Sequence, residues 1–125
     1  MKIGLDYHGC IDQAFDFWSF ASWGLINSSV RNQVHIITGA REKDLKPILV
    51  KKRIFWTHFF SITEYLEKLK VPYLVHGNKY TFDNDTWNKA KADYCKRMKI
   101  DYHFDDTENY GKHFTTPFFY IKRTK

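Results

Sequence analysis

Two cysteines, Cys10 and Cys95, are all that the 125 residues contain. They are too few for a disulfide framework, and both fall in segments patterned as regular structure, which suits reduced thiols. No Cys-x-x-Cys pair occurs, and the His8-x-Cys10 spacing is a poor zinc motif, so a zinc site is disfavoured. Long apolar runs are lacking too. Nothing is long enough to cross a bilayer, and the opening MKIGLDYHG turns polar before a signal-peptide core could form. The expectation is a soluble cytoplasmic protein with no membrane partner. No repeat or low-complexity linker divides the chain, and its length suits one domain of about 100–150 residues, so residues 1–125 are expected to form a single unit.

What is abundant is aromatic surface: 11 Phe, 8 Tyr and 4 Trp are spread along the whole sequence and argue for a packed core. Trp56, Phe59, Phe60 and Tyr65 could stack nucleobases, but core packing is the preferred use. The formal net charge is +6, with Lys and Arg concentrated in 41–52, 89–99 and 122–125. Such a surface attracts phosphate-bearing partners, nucleic acid among them. Solvated helix faces have the same composition, and that plainer reading is preferred.

Residues 2–6 read as a short buried strand that Gly9 punctuates. Ile11, Phe15, Trp18, Ser22 and Leu25 then recur at helical spacing, and Val34-His35-Ile36-Ile37 is a second apolar strand stopping at Thr38-Gly39. This βαβ unit favours parallel strands and an α/β fold. Residues 41–52 are charged and helical, with Pro47 either kinking the helix or marking the first turn of a shorter one. A third strand is expected at 55–60. Ser61-Ile62-Thr63-Glu64 has the form of a capping box ahead of Tyr65, Leu66 and Leu69. Residues 71–82, with Pro72 and the turn-like His76-Gly77-Asn78, suit an irregular excursion or a hairpin. Asp83 or Asp85 can cap a helix running to about residue 98. A strand at 100–104 ends at Asp105-Asp106-Thr107, and a last strand follows Pro117.

In an open parallel sheet, ligands bind beyond the carboxyl ends of the strands. Asp6, Thr38 and the pair Asp105-Asp106 all fall at such ends. Any one is an ordinary turn residue; their co-occurrence is the signal. Lys91 lies within the helical stripe Trp87, Ala90, Tyr94, Cys95 and Met98, so its ammonium must snorkel, pair, or reach a charged site.

Four short motifs stand in order: LDYHGC with Leu5, Asp6 and Gly9; HIITG with Thr38; KADYC with Lys91; and HFDDT with Asp105 and Asp106. In this order and spacing, over almost the whole chain, the sequence resembles the haloacid dehalogenase superfamily of phosphohydrolases and phosphotransferases. The resemblance implies a three-layer Rossmann-like domain with a mainly parallel central sheet. The family's usual cap inserts after the first or second motif; here the first gap holds one helix and the second only short elements, so no large cap is expected. It implies that Asp6 is the nucleophile and a Mg2+ ligand, with the metal also held by the backbone carbonyl of His8, by Asp106 and by Asp105. Thr38 and Lys91 would hold the phosphoryl group of a phosphate monoester, whether a small metabolite, a nucleotide or a nucleic-acid end. His8 and Cys10 depart from the family pattern, which has Asp and Thr there. Histidine can do the acid–base work of the missing Asp, or its presence marks a phosphate- or nucleic-acid-binding module that has lost hydrolysis. His35, His58, His76, His103 and His113 read as structural or exposed rather than as ligands. The segment ENYGKHFTTPFF after the acidic pair is placed to close the site through Tyr110 or Lys112, with no chemical role assigned by the sequence.

Overall fold

The computed structural model describes residues 1–76 and 79–122; Gly77, Asn78 and the last three residues of the basic tail lie outside the described residues. Five strands form one sheet in the order β3-β2-β1-β6-β7, every pair parallel. They are β1 (Lys2–Leu5), β2 (Gln33–Thr38), β3 (His58–Ser61), β6 (Tyr102–Asp105) and β7 (Phe118–Tyr120). The helices are α1 (Phe15–Ser28), α2 (Glu42–Lys51), α3 (Ile62–Lys68) and α4 (Asn84–Arg97). Between α3 and α4, β4 (Tyr73–His76) and β5 (Lys79–Phe82) pair antiparallel as a separate hairpin. No helix among the described residues is long and apolar enough to cross a membrane.

Strand alternation sorts the core into two layers around the sheet. Ile3, Leu5, Val34 and Ile36 pack with Trp18 of α1 and with Leu45 and Leu49 of α2. On the other face Ile37 and Phe60 pack with Leu66 of α3 and with Ala90, Tyr94 and Cys95 of α4. The result is the expected three-layer Rossmann-like domain, with the hairpin in place of any large cap. The stripe predicted on α4 is the face that packs, and Lys91 is buried within it.

Several boundaries move. The third strand starts at His58 rather than residue 55, and the first helix is split into a 3₁₀ turn at Ile11–Gln13 and α1. Pro47 lies inside α2, past its first turn. Ser61 caps α3 by accepting from the Glu64 N–H, but the Glu64 carboxylate accepts from Glu42 N–H at the start of α2, so the box is only half formed. Asp83 is the cap of α4, accepting from Thr86 N–H.

The ends of α2, α3 and α4 share one device that the sequence conceals. Arg53, Lys70 and Lys99 have φ of 57°, 58° and 56°, and the next residue's N–H returns to a carbonyl of the last turn in each case. Glycine is the usual residue there. Left-handed backbone costs an L-residue about 1–2 kcal/mol, part of which glycine's greater chain entropy takes back. Lys99→Gly is therefore expected to raise stability by about 0.5–1 kcal/mol in denaturant titrations.

One buried polar group faces α4 from the middle of the sheet. His35 joins Tyr94 Oη at 2.7 Å through Nδ1 and Gln33 Oε1 at 2.8 Å through Nε2, and it stacks on His58 at 4.2 Å. Burial, with smaller help from the His58 and Lys2 charges, pulls its pKa from 6.5 down to about 4. The fold thus holds His35 neutral, and unfolding takes up a proton at acid pH. Its penalty is absent above 6.5 and grows as pH falls toward 4, reaching about 3 kcal/mol. In wild type against His35→Gln, the stability difference is expected to shift by about 2–3 kcal/mol between about pH 7 and about pH 4. Comparing the two proteins cancels titrations that they share, and a pH-independent difference would exclude His35 as the source.

Candidate active site at the carboxyl edge of the sheet

Side-chain alternation continues past the strands and gathers four groups on the α4 side. Gly4 in β1 faces α4, and Asp6 follows two residues later. His103 and Asp105 stand two apart on β6, and β1 pairs with β6 at Gly4↔His103. A Cβ on Gly4 would stand 2.7 Å from Ile37 Cδ1 and 2.8 Å from His103 Nδ1. The missing side chain is what lets an imidazole lie against the central strand. Asp6 N–H then donates to the Phe104 carbonyl at 3.0 Å, which ties the end of β1 to β6.

Lys91 reaches down from α4 between the two strand ends. Its Nζ donates to Asp6 Oδ1 at 3.0 Å and to Asp105 Oδ2 at 2.7 Å. His103 Nε2 reaches the same Asp105 oxygen at 2.9 Å, and Thr107 N–H donates to Asp105 Oδ1 at 3.0 Å. Asp106 joins the group: one oxygen from each of Asp6, Asp105 and Asp106 lies within 4.8 Å of the others. Lysine on an inward stripe had three options, and pairing is the one realised.

The electrostatics divide the carboxylates. Burial raises the Asp6 pKa to about 7, helped by the Asp105 charge and opposed by Lys91. Burial would also raise Asp105, but the His103 hydrogen bond and the Lys91 charge outweigh it, and its pKa falls below the usual range. Burial works against the Lys91 ammonium, yet Asp6 and Asp105 more than reverse this and hold it charged. Burial lowers the His103 pKa against the pull of Asp105, so the ring is neutral and donates from Nε2. One ammonium thus faces Asp105, Asp106 and a third acid, Asp6, whose pKa of about 7 leaves it ready to ionise fully beside an added cation, and every donor is oxygen. That donor set and that charge fit a hard divalent cation such as Mg2+.

The other predicted residues are placed less centrally. Thr38 ends β2, next to β1, and is fully buried, with its Oγ1 accepting from Ala40 N–H at 3.1 Å. His8 turns outward, its side chain 64% exposed and its Nδ1 3.9 Å from Asp12 Oδ2. Asp12 also accepts from Gly9 N–H at 2.7 Å, holding the loop in the left-handed turn that Gly9 permits at φ 81°. Cys10 is buried, and burial pushes its thiol pKa up, away from any nucleophilic role. Sequence reasoning read His103 as structural or exposed, without its tie to Asp105, and passed over Gly4. The two-residue spacing of His103 and Asp105 on one strand face was the available signal for the first; nothing local announces the second. No protein-family model, curated protein or solved structure matches the chain.

Replacing Lys91 by Met keeps the stem and removes the charge. Asp105 then loses its cation and Asp6, already raised to about 7 with Lys91 in place, is driven to its neutral form. The loss is expected to be about 3–5 kcal/mol at neutral pH in urea titrations without divalent metal.

Proposed function

We propose that the protein is a Mg2+-dependent phosphohydrolase acting on a phosphate monoester through an aspartyl-phosphate intermediate. One observation carries this reading: Asp6, Lys91 and the Asp105-Asp106 pair meet at the carboxyl edge of a parallel sheet, in the chain order of the haloacid dehalogenase motifs. Lys91 holds Asp6 by Oδ1 and so orients the other oxygen, Oδ2, as the attacking atom. That oxygen forms the bond to phosphorus as the ester P–O bond breaks. Lys91 and Thr38 hold the phosphoryl oxygens, and His8 gives a proton to the leaving oxygen. Neutral His8 then takes a proton from the water that attacks the acyl phosphate, releasing inorganic phosphate and restoring Asp6. Asp6, Asp106 and the His8 carbonyl would hold the Mg2+, with Asp105 behind them; bound, it screens the repulsion between carboxylate and phosphate. The net charge of +6 suits anionic substrates, nucleotides and nucleic-acid ends included.

A second reading keeps the same pocket as a phosphate-binding module without turnover. The outward turn of His8 toward Asp12 favours it. Turnover of p-nitrophenyl phosphate with and without Mg2+ tests both. Asp6→Asn is expected to abolish Mg2+-dependent turnover by at least about 1,000-fold while the fold survives, because an amide is a poor nucleophile and a weaker metal ligand. His8→Ala is expected to lose turnover and keep phosphate binding, and His8→Asp to restore or raise it. An inert wild type with an active His8→Asp variant would select the binding module, and activity indifferent to Asp6 would end the hydrolase reading.

A further inference from the structure

Asp6, Lys91 and Asp105 are 5%, 2% and 0% exposed, too enclosed to admit a phosphate ester as they stand. The group over Lys91 is Tyr110, from the 3₁₀ segment Glu108–His113, in which no residue is buried. The Tyr110 ring centroid lies 4.6 Å from Lys91 Nζ. An ammonium has three N–H donors, and Asp6 and Asp105 take two. The third is the one a phosphoryl oxygen would take, and an aromatic face stands against the ammonium instead.

The Tyr110 hydroxyl accepts from Trp87 Nε1 at 3.1 Å, while its backbone N–H turns back to the Thr107 carbonyl at 3.1 Å, so among the described residues the indole is the polar partner of its side chain. Trp87 is itself fixed. Its indole packs so closely on Gly39 that a Cβ there would stand 2.7 Å from the ring, and Phe82 stacks on it at 6.0 Å and 19°. The segment is anchored on both sides. Thr107 N–H donates to Asp105 Oδ1 at 3.0 Å, and Phe114 stacks on His103 at 5.1 Å and 11°. Between the anchors there is little burial to hold it, the condition for an element that opens without unfolding the domain.

We propose that residues 108–113 are a lid on the phosphoryl pocket, with Tyr110 as its plug and the Trp87 indole as its latch. This rests on the phosphohydrolase reading above. Substrate enters when the lid swings out, and its charge replaces the weaker ring contact on Lys91. Apparent affinity is then the intrinsic affinity reduced by the open fraction, so loosening the latch tightens binding.

Tyr110→Phe and Trp87→Phe each remove the same hydrogen bond from opposite sides, and the first keeps the ring over Lys91. Binding of inorganic phosphate in the presence of Mg2+ is measured by calorimetry for wild type, both variants and the double variant. Amide hydrogen exchange of residues 108–113 is followed in the same proteins. Each single variant is expected to bind phosphate about fivefold more tightly, the order one neutral hydrogen bond carries, and to exchange faster in the segment. The double variant should add little, because one bond cannot be lost twice. Unchanged phosphate affinity with unchanged exchange overturns the lid and leaves the hydrolase reading standing. Faster exchange with no phosphate bound by any of the four proteins overturns the hydrolase reading and the lid's role with it.

Discussion

The ammonium of Lys91, held between Asp6 and Asp105 in the interior, is the constraint around which the rest is arranged. Without it Asp105 would lie buried with no cation and Asp6 would be driven to its neutral form, because two charged carboxylates in a low-dielectric pocket repel each other and forfeit their hydration. Every other feature of the edge serves this pairing. Gly4 makes room for His103, His103 fixes Asp105, and the Asp6 N–H ties β1 to β6. Apolar residues in the same positions would pack with less risk. A buried cluster with more acids than bases is a costly way to hold a sheet together, which is what marks it as a candidate functional site.

The periodic parts of this architecture are legible in the sequence. The apolar run from Val34 to Ile37 after a helix pointed to a buried parallel strand, and the three-to-four spacing around Tyr94 to the buried face of α4, since those patterns express burial directly. Lys91 was legible because a charge on an apolar stripe demands a partner. The hairpin was legible only as one of two alternatives, because the turn residues mark it while its four-residue strands pair with each other and leave Leu74 and Val75 exposed, so no burial pattern decides it. The ends of α2 and α4 fall within a residue of the expected ones, but the left-handed residues that close the helices were hidden, because Arg53, Lys70 and Lys99 occupy positions where the sequence rule looks for glycine. There tertiary packing of the following Ile54 and Ile100 overrides local preference.

The site was half legible for a similar reason. Asp6, Thr38, Asp105 and Asp106 are announced by position, being polar residues at the ends of apolar strands. His8 stands in the right place along the chain, yet its side chain direction depends on Asp12, four residues on, and a linear motif does not carry that information. His103 shows the converse. A histidine two residues before an acid looks unremarkable in a list of six, and only the clearance over Gly4 turns it into a partner for Asp105.

β1 lies at the centre of the sheet, with β2 on one side and β6 on the other, and β6 follows it by almost a hundred residues. As the chain leaves the ribosome, β1, α1 and β2 can form their unit early. The other edge of β1 must then wait, open and apolar, through the making of α2, α3, the hairpin and α4. Asp6 and later Lys91 remain hydrated during that interval and give up their water only when the segment carrying Asp105 arrives. The ion cluster therefore cannot close until the segment carrying Asp105 has been made and brought back across a long loop. A nascent chain halted before residue 102 would present the central strand as a bare parallel edge, the kind of surface that chaperones shield and neighbouring chains invade.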